Sequence, residues 1–198
     1  MESPSAIFRC YQVSNDLAQL LSSGEFWVFG YGSLMWRPGF PYDAKSEAHL
    51  HGFHRRLCVT SRHHRGTAEQ PGLVMGLDHG GSCRGMAYLV PTDQAEQTLA
   101  YLDEREIAHY PVYRRAIVTL RLDGENVARR ALTYVVDRHN EDYAGHLDVD
   151  TQAEIVAKAK GLSGLNRDYL HATLEHIHKL GLRDRRLEAV SAALPDTS

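Results

Sequence analysis

The chain is short of the residues that would staple it, thread it through a membrane or fix it to nucleic acid. Its 198 residues include three cysteines, Cys10, Cys58 and Cys83. That odd number at wide spacing fits a reducing compartment rather than a disulfide framework. None belongs to a CxxC pair, so a structural zinc site of the usual kind is not expected. No apolar run approaches the length of a membrane span, and Met1 to Tyr11 lacks the apolar core of a signal peptide, so the expected location is the cytoplasm. There is no surplus of cations either: the formal net charge is −3, whereas a nucleic-acid binder needs excess Lys and Arg to neutralise phosphates. Basic residues cluster at His54-Arg55-Arg56 and from Arg183 to Arg186, but acids elsewhere balance them, and most are expected to be solvated surface. Internal repeats, low-complexity segments and linkers are missing as well. With 43% hydrophobic and 24% charged residues, the composition is that of a globular protein with a core. One α+β domain over residues 1–198 is expected, its last third (about 151–194) helical.

What is present begins with periodicity. Ser14 or Asn15 is placed to cap a short helix carrying Leu17, Leu20 and Leu21. Phe26-Trp27-Val28-Phe29 is an apolar run broken at Gly30 and Gly32, the pattern of a buried strand entering a tight turn. Residues 47–60 and 72–90 carry the signature of three strands, among them Leu73 to Leu77 and Arg84 to Val90. A polar loop from Ser61 to Pro71 lies between. Asp93 to Arg105 reads as helix by its stripe Ala95, Leu99, Leu102. Val118, Leu120 and Leu122 then alternate with polar residues, Asp123-Gly124 marks a turn, and Leu132, Tyr134 and Val136 return as a hairpin. Asp137 to Asp150 is a long polar loop, and connections of that length are often functional. Beyond it, Thr151 and Glu154 form a capping box for a helix closed by Gly161. Asn166 is placed to cap a second helix, with Leu170, Leu174 and Ile177 facing inward until Gly181, and a short third helix starts at Asp184.

Two local signals bear on chemistry. In Phe29-Gly30-Tyr31-Gly32-Ser33-Leu34, glycines directly after a buried strand let the backbone approach a ligand and turn several N–H groups into one concavity, a nest for a carboxylate, phosphate or oxyanion. The alternative is a turn that merely reverses the chain. It is not a dinucleotide fingerprint, since GxGxxG would need Gly at the position of Met35, and not a nucleophile elbow, since GxSxG would need Ser in place of Gly32. The second signal is Glu106, which continues the stripe of Leu99 and Leu102 (i, i+3, i+7) to the helix C-terminus. Partial burial and the negative end of the helix dipole both raise a carboxyl pKa, toward the range of a general base. The alternative is a frayed helix end whose Glu turns to solvent or pairs with Arg105 or Arg114. Twelve histidines raise a metal reading through His49, His51 and His54, His63-His64, or His176 and His178. No HExxH or comparable frame supports it, and Asp148 with Asp150 does not make a calcium loop.

Together these pieces resemble one family. Trp27 to Trp36, Arg65-Gly66-Thr67 with Pro71-Gly72, Gly85-Met86-Ala87-Tyr88, Arg105-Glu106 ahead of Tyr110, Tyr143, and Asn166 to Leu170 with Tyr169 occur in the order of the ChaC-type γ-glutamylcyclotransferases, over roughly residues 25–185 and closest to the bacterial branch. The chain departs from many relatives at Ile107-Ala108-His109-Tyr110, where they carry glycines. The resemblance implies a small, mixed, barrel-like sheet flanked by helices. It implies an enzyme that cleaves glutathione to 5-oxoproline and Cys-Gly, the substrate's α-amine attacking its own γ-carbonyl. Glu106 would be the base and then the acid. Tyr31, Gly32, Ser33 and Leu34 would hold the substrate carboxylate or the oxyanion, Arg65 would pair with a substrate carboxylate, and Tyr143 would close over the ligand. No metal or organic cofactor is implied. Beside this reading stand a cyclotransferase for other γ-glutamyl amines or amino acids, a non-enzymatic anion-binding regulator, and a histidine metalloprotein. Nothing in the residues indicates an oligomeric state.

Overall fold

The structure is a computed structural model that describes residues 15–108 and 110–195. Cys10, Ser14, His109 and the Met1 to Tyr11 segment lie outside the described residues. A first helix, α1, covers residues 15–22 and buries Leu17 and Leu20. The strands that follow are β1 (Phe26–Gly30), β2 (Ala44–Ser61), β3 (Gly72–Val90), β4 (Tyr113–Leu122) and β5 (Ala128–Val136), with helix α2 (Ala95–Glu106) between β3 and β4. These five strands close into a barrel in the order β1-β3-β2-β4-β5. The sheet is mixed: β1 runs antiparallel to β3, with Phe26 opposite Val90, and parallel to β5, with Trp27 opposite Ala131. The remainder is helical apart from a two-stranded hairpin: α3 (Val149–Lys158), β6 (Lys160–Gly161), β7 (Gly164–Leu165), α4 (Asn166–Lys179) and α5 (Arg185–Ala192). Among the described residues no helix is long and apolar enough to cross a membrane.

The chain parts into two compact units, one up to His54 with His79–Val135, the other Arg55–Asp78 with Val136–Ser198. The first is built on fully buried Phe26, Phe29, Leu50, Tyr88, Leu102, Leu120 and Leu132. Each such side chain contributes about 1.5–3 kcal/mol by leaving water. The second buries Leu57, Leu73, Leu77 and Leu170.

Several expectations from sequence are corrected. Three strands were expected in 47–60 and 72–90, and there are two, of 18 and 19 residues. Leu73 to Leu77 and Arg84 to Val90 are one strand, because Gly80 (φ 98°) and Gly81 (φ 71°) bend it without ending it. The hairpin strand β5 does not alternate, since Ala131 to Val136 are all buried. Helix α3 starts earlier than the capping box placed it: its N-cap is Asp148, whose carboxylate accepts from the N–H of Thr151 at 2.7 Å. It ends at Lys158, and Gly161 belongs to the β6–β7 hairpin. Asn166 caps nothing. It is wholly buried, and its amide accepts from Leu73 N at 2.7 Å and donates to Leu73 O at 2.8 Å, which joins α4 to β3. The run His54-Arg55-Arg56 is buried rather than solvated, because distant partners meet it: Arg55 lies 3.0 Å from Asp184, and Arg56 faces Asp78 at 3.8 Å and bonds His146 at 2.5 Å. The start of α5 matches expectation, with Asp184 as N-cap.

Candidate active site

Strand β1 is buried along its whole length and carries the chain into the glycine-rich loop. There the backbones touch. A Cβ on Gly85 of β3 would stand 2.3 Å from the Gly30 carbonyl oxygen, and a Cβ on Gly30 would stand 2.8 Å from Cβ of Leu34. No side chain fits at either place. The loop then winds into a single 3-10 turn, Ser33–Met35, closed by Met35 N–H to Gly32 O at 2.9 Å. The first N–H groups of such a turn, those of Ser33 and Leu34, have no acceptor inside it. From below, the Tyr88 hydroxyl donates into the carbonyls of Leu34 and Met35, at 3.0 and 2.7 Å. Burial pushes the Tyr88 ionisation up to about 12, which keeps it a donor at neutral pH.

Glu106 is the last residue of α2. Its side chain is 19% exposed, and Oε1 lies 3.2 Å from Nε of Arg105. Burial raises its pKa above the ordinary 4.5, and the Arg105 charge opposes that shift without cancelling it. One helical turn earlier, on the same face, Asp103 receives different treatment. Its carboxylate takes both Nε (2.7 Å) and Nη2 of Arg115 and the Tyr134 hydroxyl at 2.8 Å. Burial, then the Asp103 charge, raise the Tyr134 pKa, and the Glu106 charge acts in the same direction. The end of α2 thus presents two carboxylates, one saturated with donors and one held by a single guanidinium.

Arg65 and Tyr143 belong to the second unit. The guanidinium of Arg65 is held on one side, Nη1 donating to Ser163 O at 2.6 Å and Leu165 O at 3.3 Å, and it stands over the Tyr169 ring at 5.2 Å. Among the described residues its Nε and Nη2 have no acceptor. Tyr143 donates its hydroxyl to Asp78 at 2.8 Å. Its loop is laid along β2 by Thr60 N–H to Asp142 O (2.8 Å) and Ala144 N–H to Cys58 O (2.9 Å). Asp78 is fully buried and also takes Nε of Arg138 at 2.7 Å. The family motifs around these residues are largely backbone clamps: Asn166 on Leu73, and the Tyr169 hydroxyl accepting Met75 N–H at 3.1 Å.

No group of three or more His, Cys, Asp or Glu among the described residues is placed to hold a metal ion. Cys58 and Cys83 are free and buried. Burial, first of several causes, lifts the Cys58 thiol to about 12, so it offers no thiolate at neutral pH.

A closed mixed barrel that carries a partly buried carboxyl beside a glycine-rich turn can support proton transfer without a nucleophile of its own. The chain belongs to the family of ChaC-like proteins, whose pattern matches residues 26–196. Among curated relatives, the glutathione-specific γ-glutamylcyclotransferase of Escherichia coli (strain K12) is 33% identical over 183 residues, covering 91% of this chain and 77% of that one. Glutathione-specific γ-glutamylcyclotransferase 1 of Homo sapiens is 32% identical over 172 residues, 85% of this chain and 78% of that one. Among solved structures, a γ-glutamylcyclotransferase specific to glutathione from yeast superposes with a TM-score of 0.76 at 23% identity, covering 86% of this chain and 97% of that one. At that identity the likeness establishes the fold.

Sequence reasoning singled out Glu106 and the Tyr31 to Leu34 loop, which both lie in the first unit. It passed over Asp103, Arg115, Tyr134 and Asp78. For Asp103 a signal was present, a second carboxylate three residues before Glu106 on the same helix face. Asp78, in an apolar strand, gave none.

Proposed function

We propose that this chain is a glutathione-specific γ-glutamylcyclotransferase with Glu106 as its acid–base group. The observation that carries the reading is the Glu106 carboxyl, four-fifths buried and raised in pKa by that burial. Relatives at 32–33% identity bear that activity in their names, which supports the substrate.

The chemistry asks little covalent work of the protein. Glu106 takes a proton from the substrate α-ammonium. The freed amine attacks the γ-carbonyl and closes a five-membered ring. Glu106 returns the proton to the departing nitrogen of Cys-Gly as the old C–N amide bond breaks, and the ring nitrogen gives up its second proton, which ends on the released amine as an ammonium. 5-Oxoproline is the other product, and the carboxyl ends as it began. Folding the substrate for attack supplies up to about 7–11 kcal/mol by orientation, and the positioned acid–base group about 10²–10⁴-fold. In this scheme Tyr31, Gly32, Ser33 and Leu34 offer backbone N–H groups to the substrate carboxylate or to the oxyanion of the tetrahedral intermediate. Arg65, held by Nη1 and by its stacking, presents Nε and Nη2 to a substrate carboxylate in the bidentate fork that suits it. The Tyr143 oxygen, already donating to Asp78, accepts from the ligand. A reducing cytoplasm, where glutathione is kept as the thiol, is the setting.

The test is 5-oxoproline release from reduced glutathione and from γ-Glu-Ala by the wild type and Glu106→Gln. Release from glutathione that falls by about 10²-fold or more in the variant supports the scheme. Preference for γ-Glu-Ala would move the specificity to other γ-glutamyl compounds, and equal release from both proteins would remove Glu106 from the chemistry.

A further inference from the structure

The guanidinium of Arg105 makes five contacts, and they join two parts of the candidate site. Nη2 donates to Ser33 Oγ at 2.9 Å, at the start of the 3-10 turn. Nη1 is shared among Arg37 O at 2.7 Å, Pro38 O at 3.0 Å and the Tyr101 hydroxyl at 3.0 Å. The two carbonyls lie just past the end of that turn. Nε, the remaining donor, lies 3.2 Å from Glu106 Oε1. One planar group therefore grips the glycine-rich loop at both its ends and the neighbouring carboxyl at once. Its side chain is 20% exposed; the bond to Pro38 O is partly buried, while those to Ser33, Arg37 and Tyr101 lie at the surface.

The geometry favours arginine over lysine. Five donors in a fixed plane reach acceptors on three sides, whereas an ammonium, a point charge with three donors, cannot span Ser33, the Arg37 and Pro38 carbonyls and Glu106 together. Tyr101, one turn earlier on α2, braces the same nitrogen from the helix. The loop is held from two directions, by the Tyr88 hydroxyl on Leu34 and Met35 and by Arg105 on Ser33, Arg37 and Pro38. Of the two clamps, only Arg105 also touches the carboxyl.

We propose that Arg105 is a positioning residue, which locks the loop N–H groups and the Glu106 carboxyl into one arrangement. It acts through Glu106 and the loop, not on the substrate itself. The proposal rests on the reading of Glu106 as the acid–base group, and it adds a second requirement: the loop and the carboxyl must be registered to each other, because a displacement of an ångström can cost about 10²-fold in rate.

The experiment pairs amide hydrogen exchange over residues 33–38 with steady-state 5-oxoproline kinetics in the wild type, Arg105→Ala and Arg105→Lys, each with and without millimolar guanidinium ion. Arg183→Ala, which removes an exposed arginine paired with Glu188, controls for general effects of the ion. The expected result is faster exchange of the loop in both Arg105 variants and a kcat lowered about 10–100-fold, with KM changed less. Guanidinium should restore several-fold activity to Arg105→Ala and none to Arg105→Lys, and Arg183→Ala should stay unaffected. Wild-type exchange rates in the loop, or an unchanged kcat, would overturn the proposal. So would a loss that guanidinium leaves untouched and that tracks a global fall in Tm. If the wild type turns over no γ-glutamyl substrate, the functional reading fails while the exchange arm still decides whether Arg105 holds the loop.

Discussion

Glu106 at the end of α2 and Asp78 in β3 are the same chemical group in opposite circumstances. Asp78, in the second unit, is fully buried and is met by Arg138 at 2.7 Å, the Tyr143 hydroxyl at 2.8 Å and Arg56 at 3.8 Å. Glu106, in the first unit, keeps 19% of its side chain exposed and has the single guanidinium of Arg105, which divides its donors among five acceptors. A carboxylate met by several donors serves as mortar. One that is desolvated but under-supplied with donors sits closer to its protonated form, and so can take up and return a proton. The contrast repeats over one turn of α2, where Asp103 is saturated by Arg115 and Tyr134 and Glu106 is not. Supply of donors separates Asp78 and Asp103 from the carboxyl proposed to react better than burial does, since the most buried of the three is Asp78.

That comparison can be broken at its structural end first. Asp78→Ala leaves Arg138 and Arg56 without their shared anion and should lower the unfolding free energy by about 3–5 kcal/mol in urea titration. A loss below about 1 kcal/mol would mean that the cluster is solvated in solution and the contrast with Glu106 is false. A smaller effect is expected at Asp103. Tyr134→Phe removes one buried donor from a charged carboxylate and should cost about 1.5–3 kcal/mol of stability. If Tyr134→Phe is as stable as the wild type, Arg115 alone satisfies Asp103.

The elements that the sequence revealed were those whose cause is local. Phe26 to Phe29 is an unbroken apolar run, α2 and α4 carry their stripes, and Asp184 caps α5 through its own neighbour Leu187. The glycine-rich turn and the position of Glu106 at a helix end were legible for the same reason. What stayed hidden depends on partners far along the chain. Arg55 and Arg56 look like surface until Asp184 and Asp78 arrive to pair with them. Asn166 looks like a cap because a free asparagine prefers that place, but the backbone N–H and C=O of buried Leu73 offer its amide two bonds instead. Thr151 and Glu154 fit a capping box, and Asp148, three residues earlier, wins as the stronger cap. Leu73 to Leu77 and Arg84 to Val90 read as separate strands, whereas in the barrel Gly80-Gly81 bends a single one. The closure of the barrel through a parallel β1–β5 pair leaves no mark on periodicity, and only the family resemblance carried it.

The pH dependence of kcat/KM for 5-oxoproline release from glutathione tests the reactive end of the contrast most directly. A base must be ionised to act, so the rate should rise with pH through the Glu106 pKa. With burial outweighing Arg105, the acid limb should inflect above the ordinary 4.5, and it should be missing from the residual activity of Glu106→Gln. A limb at or below the ordinary carboxylate value, or one that persists unchanged in the variant, would contradict the account: Glu106 would then be as well supplied as Asp78, and the working proton would reside on another group.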